Sequence, residues 1–272
     1  MRPVTVQDRF KEYLPDQRDY FDFQVTEDWP AFLSREWDQM RRFEVARLMR
    51  CVQPATILDV GCGCGFHDAE MARYPFVRRV DAIDYSPKSI EKAEAHYGHP
   101  KVRRTVADLV EFEPETPYDL VVSFQVIEHT EDADDFVRQC LRCCRPGGHV
   151  AVFTVNRMRP YNRRRARHGK EPELEDPMHK REFTIAELEE IGERNGLVPL
   201  KRIAYAAEGL GIPRFLAVWA CCFFPGLATR LGAIYAKPES GRSVRSCVGV
   251  VPRSLLNEGN HRVDNRRRRR AP

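Results

Sequence analysis

No stretch of this 272-residue chain reaches the roughly 20 apolar residues that a membrane-spanning helix needs. The nearest, Phe215 to Thr229, is uncharged and aromatic-rich, but Pro225-Gly226 interrupts it and Arg214 and Arg230 bound it. It reads as a buried or substrate-covering helix pair, with interfacial membrane contact as the alternative. Met1 to Asp19 is polar and has no signal-peptide core, so a cytoplasmic location is expected. The nine cysteines include no C-x-x-C pair matched by a distant second pair, which excludes a zinc module and leaves reduced thiols as the expectation. There is no internal repeat, so no solenoid. Neither charge dominates: 44 basic and 40 acidic residues give a net +4. The positive charge is uneven, however. Arg157, Arg159, Arg163, Arg164, Arg165, Arg167 and Lys170 form one cluster, and Arg266 to Arg270 an unbroken run. Such blocks are either solvated surface or contacts for an anion.

The centre of the chain alternates strands and helices, the pattern of an α/β fold with a parallel sheet covered on both faces. Strands are expected at Thr56–Val60, Val80–Asp84, Val102–Val106, Tyr118–Phe124, His149–Val155 and Leu197–Tyr205, with a seventh at Val244–Val251. Ser86-Pro87 opens a helix as cap and first residue, and Thr184-Ile185-Ala186-Glu187 reads as a capping box. Arg145-Pro146-Gly147-Gly148 stops a helix and turns the chain. Residues 1–50 look helical, a cap that can lie over a ligand. Residues 51–253 form the main domain, with a substrate-side insertion at about 156–183 and apolar helices at about 208–236. Residues 254–272 are a basic tail.

The run Ile57-Leu58-Asp59-Val60-Gly61-Cys62-Gly63-Cys64-Gly65 carries the chemistry. A strand ends in an acid, and glycine then occupies every second position, so the backbone can turn sharply and approach a ligand. A dinucleotide site would need G-x-G-x-x-G to seat a pyrophosphate. Here the pattern is D-x-G-x-G-x-G, and the carboxylate of Asp59 suits an ammonium or sulfonium group instead. On these residues the chain resembles the class I S-adenosylmethionine-dependent methyltransferases of small-molecule type, similar to the ubiquinone-pathway O-methyltransferases. The resemblance implies a Rossmann-like, doubly wound, seven-stranded and mostly parallel sheet with S-adenosyl-L-methionine as cofactor. The cofactor would meet Asp59, Gly61, Cys62, Gly63 and Gly65 at the turn. Asp84, ending the second strand, would take the ribose hydroxyls, with Tyr85 and Ser86 beside ribose or adenine. Asp108 and Leu109 would take the adenine, and Gln125 the methionyl part.

Gln125-Val126-Ile127-Glu128-His129 starts where the fourth strand ends. His129 is one candidate base for a hydroxyl or amine acceptor, because imidazole titrates near neutrality; shaping of the loop is the alternative role. His179, in Met178-His179-Lys180-Arg181, is a second candidate, with loop packing as its alternative. Small-RNA 2'-O-methyltransferases resemble this segment and hold magnesium through E-x-x-E-H and a later histidine. Gln125 stands here in place of their first glutamate, which weakens a magnesium site, so no metal is expected, with a weak one through Glu128, His129 and His179 as the alternative. The expected activity is methylation, at oxygen first, of a small acceptor such as a quinone or lipid. RNA 2'-O-methylation and a non-catalytic cofactor-binding role are the alternatives. Nucleic acid is disfavoured as a partner, because no basic platform interleaved with aromatics is present.

Overall fold

A computed structural model describes residues 17–27, 35–205, 221 and 227–239. Two helices, α1 (Gln17–Glu27) and α2 (Arg35–Cys51), precede an alternating series. It runs β1 (Thr56–Val60), α3 (Phe66–Ala72), β2 (Arg79–Asp84), α4 (Pro87–Tyr97), β3 (Val102–Val106) and β4 (Tyr118–Phe124). A 3-10 turn at Ile127–His129 leads to α5 (Ala133–Cys143) and β5 (Cys144–Val155). Then come α6 (Pro160–Arg167), α7 (Ile185–Arg194), β6 (Val198–Tyr205) and β7 (Arg230–Ala236). The strands form one seven-stranded sheet in the order β3-β2-β1-β4-β5-β7-β6. β1 to β5 are mutually parallel, and β7 runs antiparallel to both β5 and β6.

Two-residue alternation along the central strands divides the core into two layers. Leu58, Val60, Val121, Val150 and Val152 pack with Phe136, Val137, Cys140 and Cys143 of α5 and Leu188 and Ile191 of α7. Their sequence neighbours Ile57, Leu120, Val122, Ala151 and Phe153 pack with Val45, Leu48 and Met49 of α2 and Met71 and Ala72 of α3. A doubly wound α/β sheet is thus what forms, as expected. Local signals act as read: Ser86 caps α4 by accepting from Ser89 N, and Thr184 and Glu187 make a full capping box on α7. The seven described cysteines are free thiols.

Two expectations need correction. The expected apolar helices were to reach about residue 236, but Arg230–Ala236 is a strand, inserted between β5 and β6. Its first six residues are buried, with Leu231, Ala233 and Tyr235 in one core layer and Ile234 in the other. It completes a seven-stranded sheet without the expected strand Val244–Val251, which lies outside the described residues, as do residues 254–272 and most of Phe215 to Thr229. Arg145–Gly148 is also not a free turn. It is a bulge inside β5: Tyr118 pairs with Cys144, and the register resumes at Leu120 with His149. Gly147 and Gly148 bond Lys237, whose ammonium donates to the carbonyls of Leu141 and Cys144 and so closes α5. Among the described residues, no helix is long and apolar enough to cross a membrane.

Candidate active site

The parallel strands deliver their carboxyl ends to one edge of the sheet, where open α/β folds bind ligands. There the chain leaves β1 through Gly61, Gly63 and Gly65, all at positive φ. The amides of Gly61 and Cys62 both donate to the carbonyl of Ile83, tying the turn to β2. A side chain at Gly61 would strike Val126, whereas one at Gly63 would meet nothing within 4 Å, so Gly63 is the glycine that faces open space. Burial pushes the thiols of Cys62 and Cys64 upward, so they remain neutral.

Asp84 accepts from Gly63 N at 2.8 Å and Ser86 N at 2.9 Å. Burial raises its pKa against these donors. Asp59 is buried with no hydrogen-bond partner for either carboxylate oxygen. Its pKa is pushed well above the usual range by burial and then by Asp68 and Asp84, with Arg104 opposing. Two acids crowded beside a glycine turn that faces open space fit a cationic nucleoside better than a pyrophosphate. Ser123 Oγ and Gln125 Nε2 are buried without partners near the end of β4. Gln125 is also the one described non-glycine residue at positive φ, 58°, a strain of about 1–3 kcal/mol of the kind that collects at ligand sites.

Tyr85 meets Phe21 of α1 edge to face, with ring centroids 6.3 Å apart. Ser86 donates its hydroxyl to Asp22, also on α1. Leu109 is buried in the core, and Asp108 is exposed, its carboxylate accepting from Val110 N and its carbonyl from Glu111 N and Phe112 N, all within its own turn.

Glu128, His129 and His179 come together: one ligand atom from each lies within 4.8 Å of the others. Thr154 donates to Glu128 Oε2 at 2.8 Å, and Glu128 Oε1 is buried without a partner. His129 Nδ1 lies 3.3 Å from the carbonyl of Met178, which can only accept, so that nitrogen carries the proton. His179 Nδ1 lies 3.0 Å from Glu182 Oε1. Glu182 stays ionised: burial works against it, but His179, Glu175 N and Arg159 outweigh that and pull its pKa down. In both rings Nδ1 is the engaged nitrogen, which leaves Nε2 for the cluster. Burial, then the charge of His179, lowers His129 to about 4, so it is neutral at pH 7. Such a trio can take a proton or hold a small divalent ion; although no metal was expected, the donor set fits one.

Helix α1 bridges the two halves of the site. Phe21 packs edge to face on His129 at 5.0 Å as well as on Tyr85, Gln17 donates to the carbonyl of His129, and Tyr20 donates to Asp176. Of the cap expected over residues 1–50, the described part comprises this helix and α2.

Three features escaped the sequence reading. Arg41 of α2 is buried beside the turn, its guanidinium 5.6 Å from the Trp37 ring centroid and 5.5 Å from that of Phe66, and Cys64 feels its charge. Its signal was the spacing Trp37, Arg41, Glu44, Val45, Leu48, the inward face of a helix. Glu44 on that face accepts from the Tyr205 hydroxyl and lies 2.7 Å from His67 Nε2, while His67 stacks on Phe124 at 3.8 Å. Burial, partly offset by Glu44, lowers the His67 pKa. The third feature is Glu182 behind His179, which no local pattern reveals.

The methyltransferase-domain family profile matches residues 31–201. This chain belongs to the S-adenosylmethionine-dependent methyltransferase family. A relative from Mycolicibacterium smegmatis, named a probable S-adenosylmethionine-dependent methyltransferase, is 36% identical over 60% of this chain and 61% of its own length. A ubiquinone biosynthesis O-methyltransferase from Caulobacter vibrioides is 39% identical over 38% of this chain and 41% of its own. The methyltransferase thus spans less than two thirds of these relatives' lengths. An N-methyltransferase from Bradyrhizobium japonicum, solved with S-adenosyl-l-homocysteine, has the same fold. Its TM-score is 0.59 at 17% identity, covering 82% of this chain and all of the other.

Proposed function

We propose that this methyltransferase moves the methyl group of S-adenosylmethionine onto an oxygen of a small acceptor with an apolar body, the class that includes quinols and lipid hydroxyls. The observation that carries this reading is the Glu128–His129–His179 cluster at the ligand edge of the sheet, with both Nε2 atoms available. The cofactor is held by the glycine turn, Asp59, Asp84, Tyr85, Ser86 and Gln125, by Asp108 and Leu109 at the adenine, and by Arg41 at its carboxylate. Bound S-adenosylmethionine supplies an electrophilic methyl on a cationic sulfur. Much of the protein's contribution is alignment and exclusion of water, which α1 is placed to provide. A hydroxyl is a poor nucleophile until it loses its proton. His179 Nε2 accepts that proton, and Glu182 stabilises the imidazolium that results. The quinone-pathway names among the relatives agree with oxygen as the acceptor atom.

A second reading of the same cluster is favoured by its donor set. Glu128, His129 and His179 would hold a divalent ion, which would lower the pKa of the acceptor oxygen in place of a base. Titration with manganese, read by calorimetry in wild type and Glu128→Gln, separates the two. The main reading is tested with methyl-labelled cofactor and a panel of an alkyl catechol, a long-chain alcohol and an alkyl amine. Label in the catechol, reduced about 100-fold or more in His179→Ala at unchanged cofactor affinity, is the expected result. Label confined to the amine would overturn it, and tight cofactor binding with no transfer at all would return the non-catalytic reading.

A further inference from the structure

The arginine-rich segment after β5 is only half used by the site. Arg157 pairs with Glu187 at 2.9 Å, Arg159 with Glu182, and Arg165 with Glu173 at 2.9 Å. Arg157 ties the insertion to α7, Arg159 holds Glu182 beside His179, and Arg165 braces α6 on Glu173. Arg163, Arg164, Arg167 and Lys170 behave differently. All are exposed, and among the described residues none makes an ion pair. Arg163 and Arg167 are one turn apart on α6 with Arg164 beside them, so the helix presents them on one side. The helix cannot roll to hide them. Asn162 is fully buried and donates to the carbonyls of Arg157 and Glu173. Tyr161 and Leu174, 53% and 47% exposed, add apolar surface nearby.

We infer that this face of α6 docks the protein on an anionic phospholipid membrane. Guanidinium groups pair bidentately with phosphate, and a surface of anionic headgroups satisfies several at once without a shaped pocket. Tyr161 and Leu174 suit the headgroup boundary, where amphipathic and aliphatic side chains settle. They do not form a platform for stacked bases. The Tyr161 hydroxyl is tied to Glu173, and the Arg165 guanidinium lies over its ring at 5.8 Å. The docked segment is the one whose Arg159 holds Glu182 behind His179, so a membrane-borne acceptor would arrive beside the cluster. Only that last consequence rests on the proposed function; the docking itself does not.

The test is sedimentation of the full chain with vesicles of phosphatidylcholine alone and of phosphatidylcholine mixed with phosphatidylglycerol. Each cation at such a surface strengthens partitioning about fivefold. Arg163→Gln/Arg164→Gln/Arg167→Gln should therefore bind the anionic vesicles about 100-fold more weakly than wild type, with cofactor affinity unchanged as the check on folding. The same drop should persist when Arg266 to Arg270 are replaced by serine in both proteins, since that run could bind vesicles on its own. Equal binding to both vesicle types, or a triple variant that binds like wild type, would overturn the inference. Single-stranded RNA held more tightly than the anionic vesicles at the same salt would assign the face to nucleic acid instead.

Discussion

Replacing Gly61 and Gly63 separately by alanine makes the same chemical change two residues apart in opposite surroundings. Both glycines have positive φ, 69° and 51°, so each alanine costs about 1–2 kcal/mol of backbone strain. At Gly61 the new Cβ would also lie 2.5 Å from Val126 Cγ2, an overlap that adds about 1–3 kcal/mol in a packed interior. Gly61→Ala should thus destabilise by about 3 kcal/mol and Gly63→Ala by about 1 kcal/mol. For a domain of this size that is about 6–12 °C against 2–4 °C in melting temperature. The order reverses for the cofactor. A methyl at Gly63 enters the open space where the ligand should lie and weakens S-adenosylmethionine binding about tenfold or more, a loss of about 1.4 kcal/mol. Gly61→Ala/Val126→Ala should regain the overlap part alone. Thermal melts with and without S-adenosylhomocysteine, together with calorimetric titration, read all of this. Equal melting losses, or wild-type affinity in Gly63→Ala, would refute the reasoning.

Other consequences follow from single side chains. Arg41→Ala should weaken the cofactor about 10–100-fold, the worth of a charge-assisted pair, while S-adenosylmethionine methyl ester, lacking the carboxylate charge, should bind both proteins alike in calorimetry. Glu182→Gln should cut kcat about 10–100-fold at unchanged cofactor affinity, and nitrogen-15 spectra should show His179 losing its fixed Nδ1–H form. Glu187 is lowered to about 2: burial resists, but the Thr184 backbone and hydroxyl and then Arg181 and Arg157 outweigh it. A depressed carboxyl stabilises the fold above its unfolded pKa and loses that as the pH falls. Denaturant titrations should show about 1–2 kcal/mol disappearing from pH 4.5 toward pH 2, after allowance for solvent screening, and Glu187→Gln should remove that slope.

Most of the first six strands were legible as short apolar runs bounded by glycine, proline or charge, whereas β3, Val-Arg-Arg-Thr-Val, showed only through its β-branched residues and its place in the alternation; the caps at Ser86 and Thr184 are chemistry written within four residues. β7 was not. Leu231 to Tyr235 is a five-residue apolar run after a proline-glycine break, and periodicity cannot separate a buried strand from a piece of buried helix. Gly232 held the missed sign: a Cβ there would sit 2.6 Å from the Phe153 ring, the close approach that a strand glycine marks. The glycine turn, Asp84 and the two histidines were legible as candidates because motif order and strand ends locate them. The polar contacts that tune them were not. Glu182 reaches His179 through a loop, and Glu44, His67 and Tyr205 lie on three different elements, so only the folded chain brings them together.

The most direct measurement is calorimetric titration of S-adenosylmethionine into wild type, Asp84→Ala and Asp108→Ala. Micromolar binding in the wild type, weakened about 10–100-fold by Asp84→Ala as charge-assisted hydrogen bonds to the ribose are lost and by a smaller factor in Asp108→Ala, which loses the adenine contact of an exposed carboxylate, is the predicted result. No heat with the wild type, or equal affinity in wild type and Asp84→Ala, would contradict it.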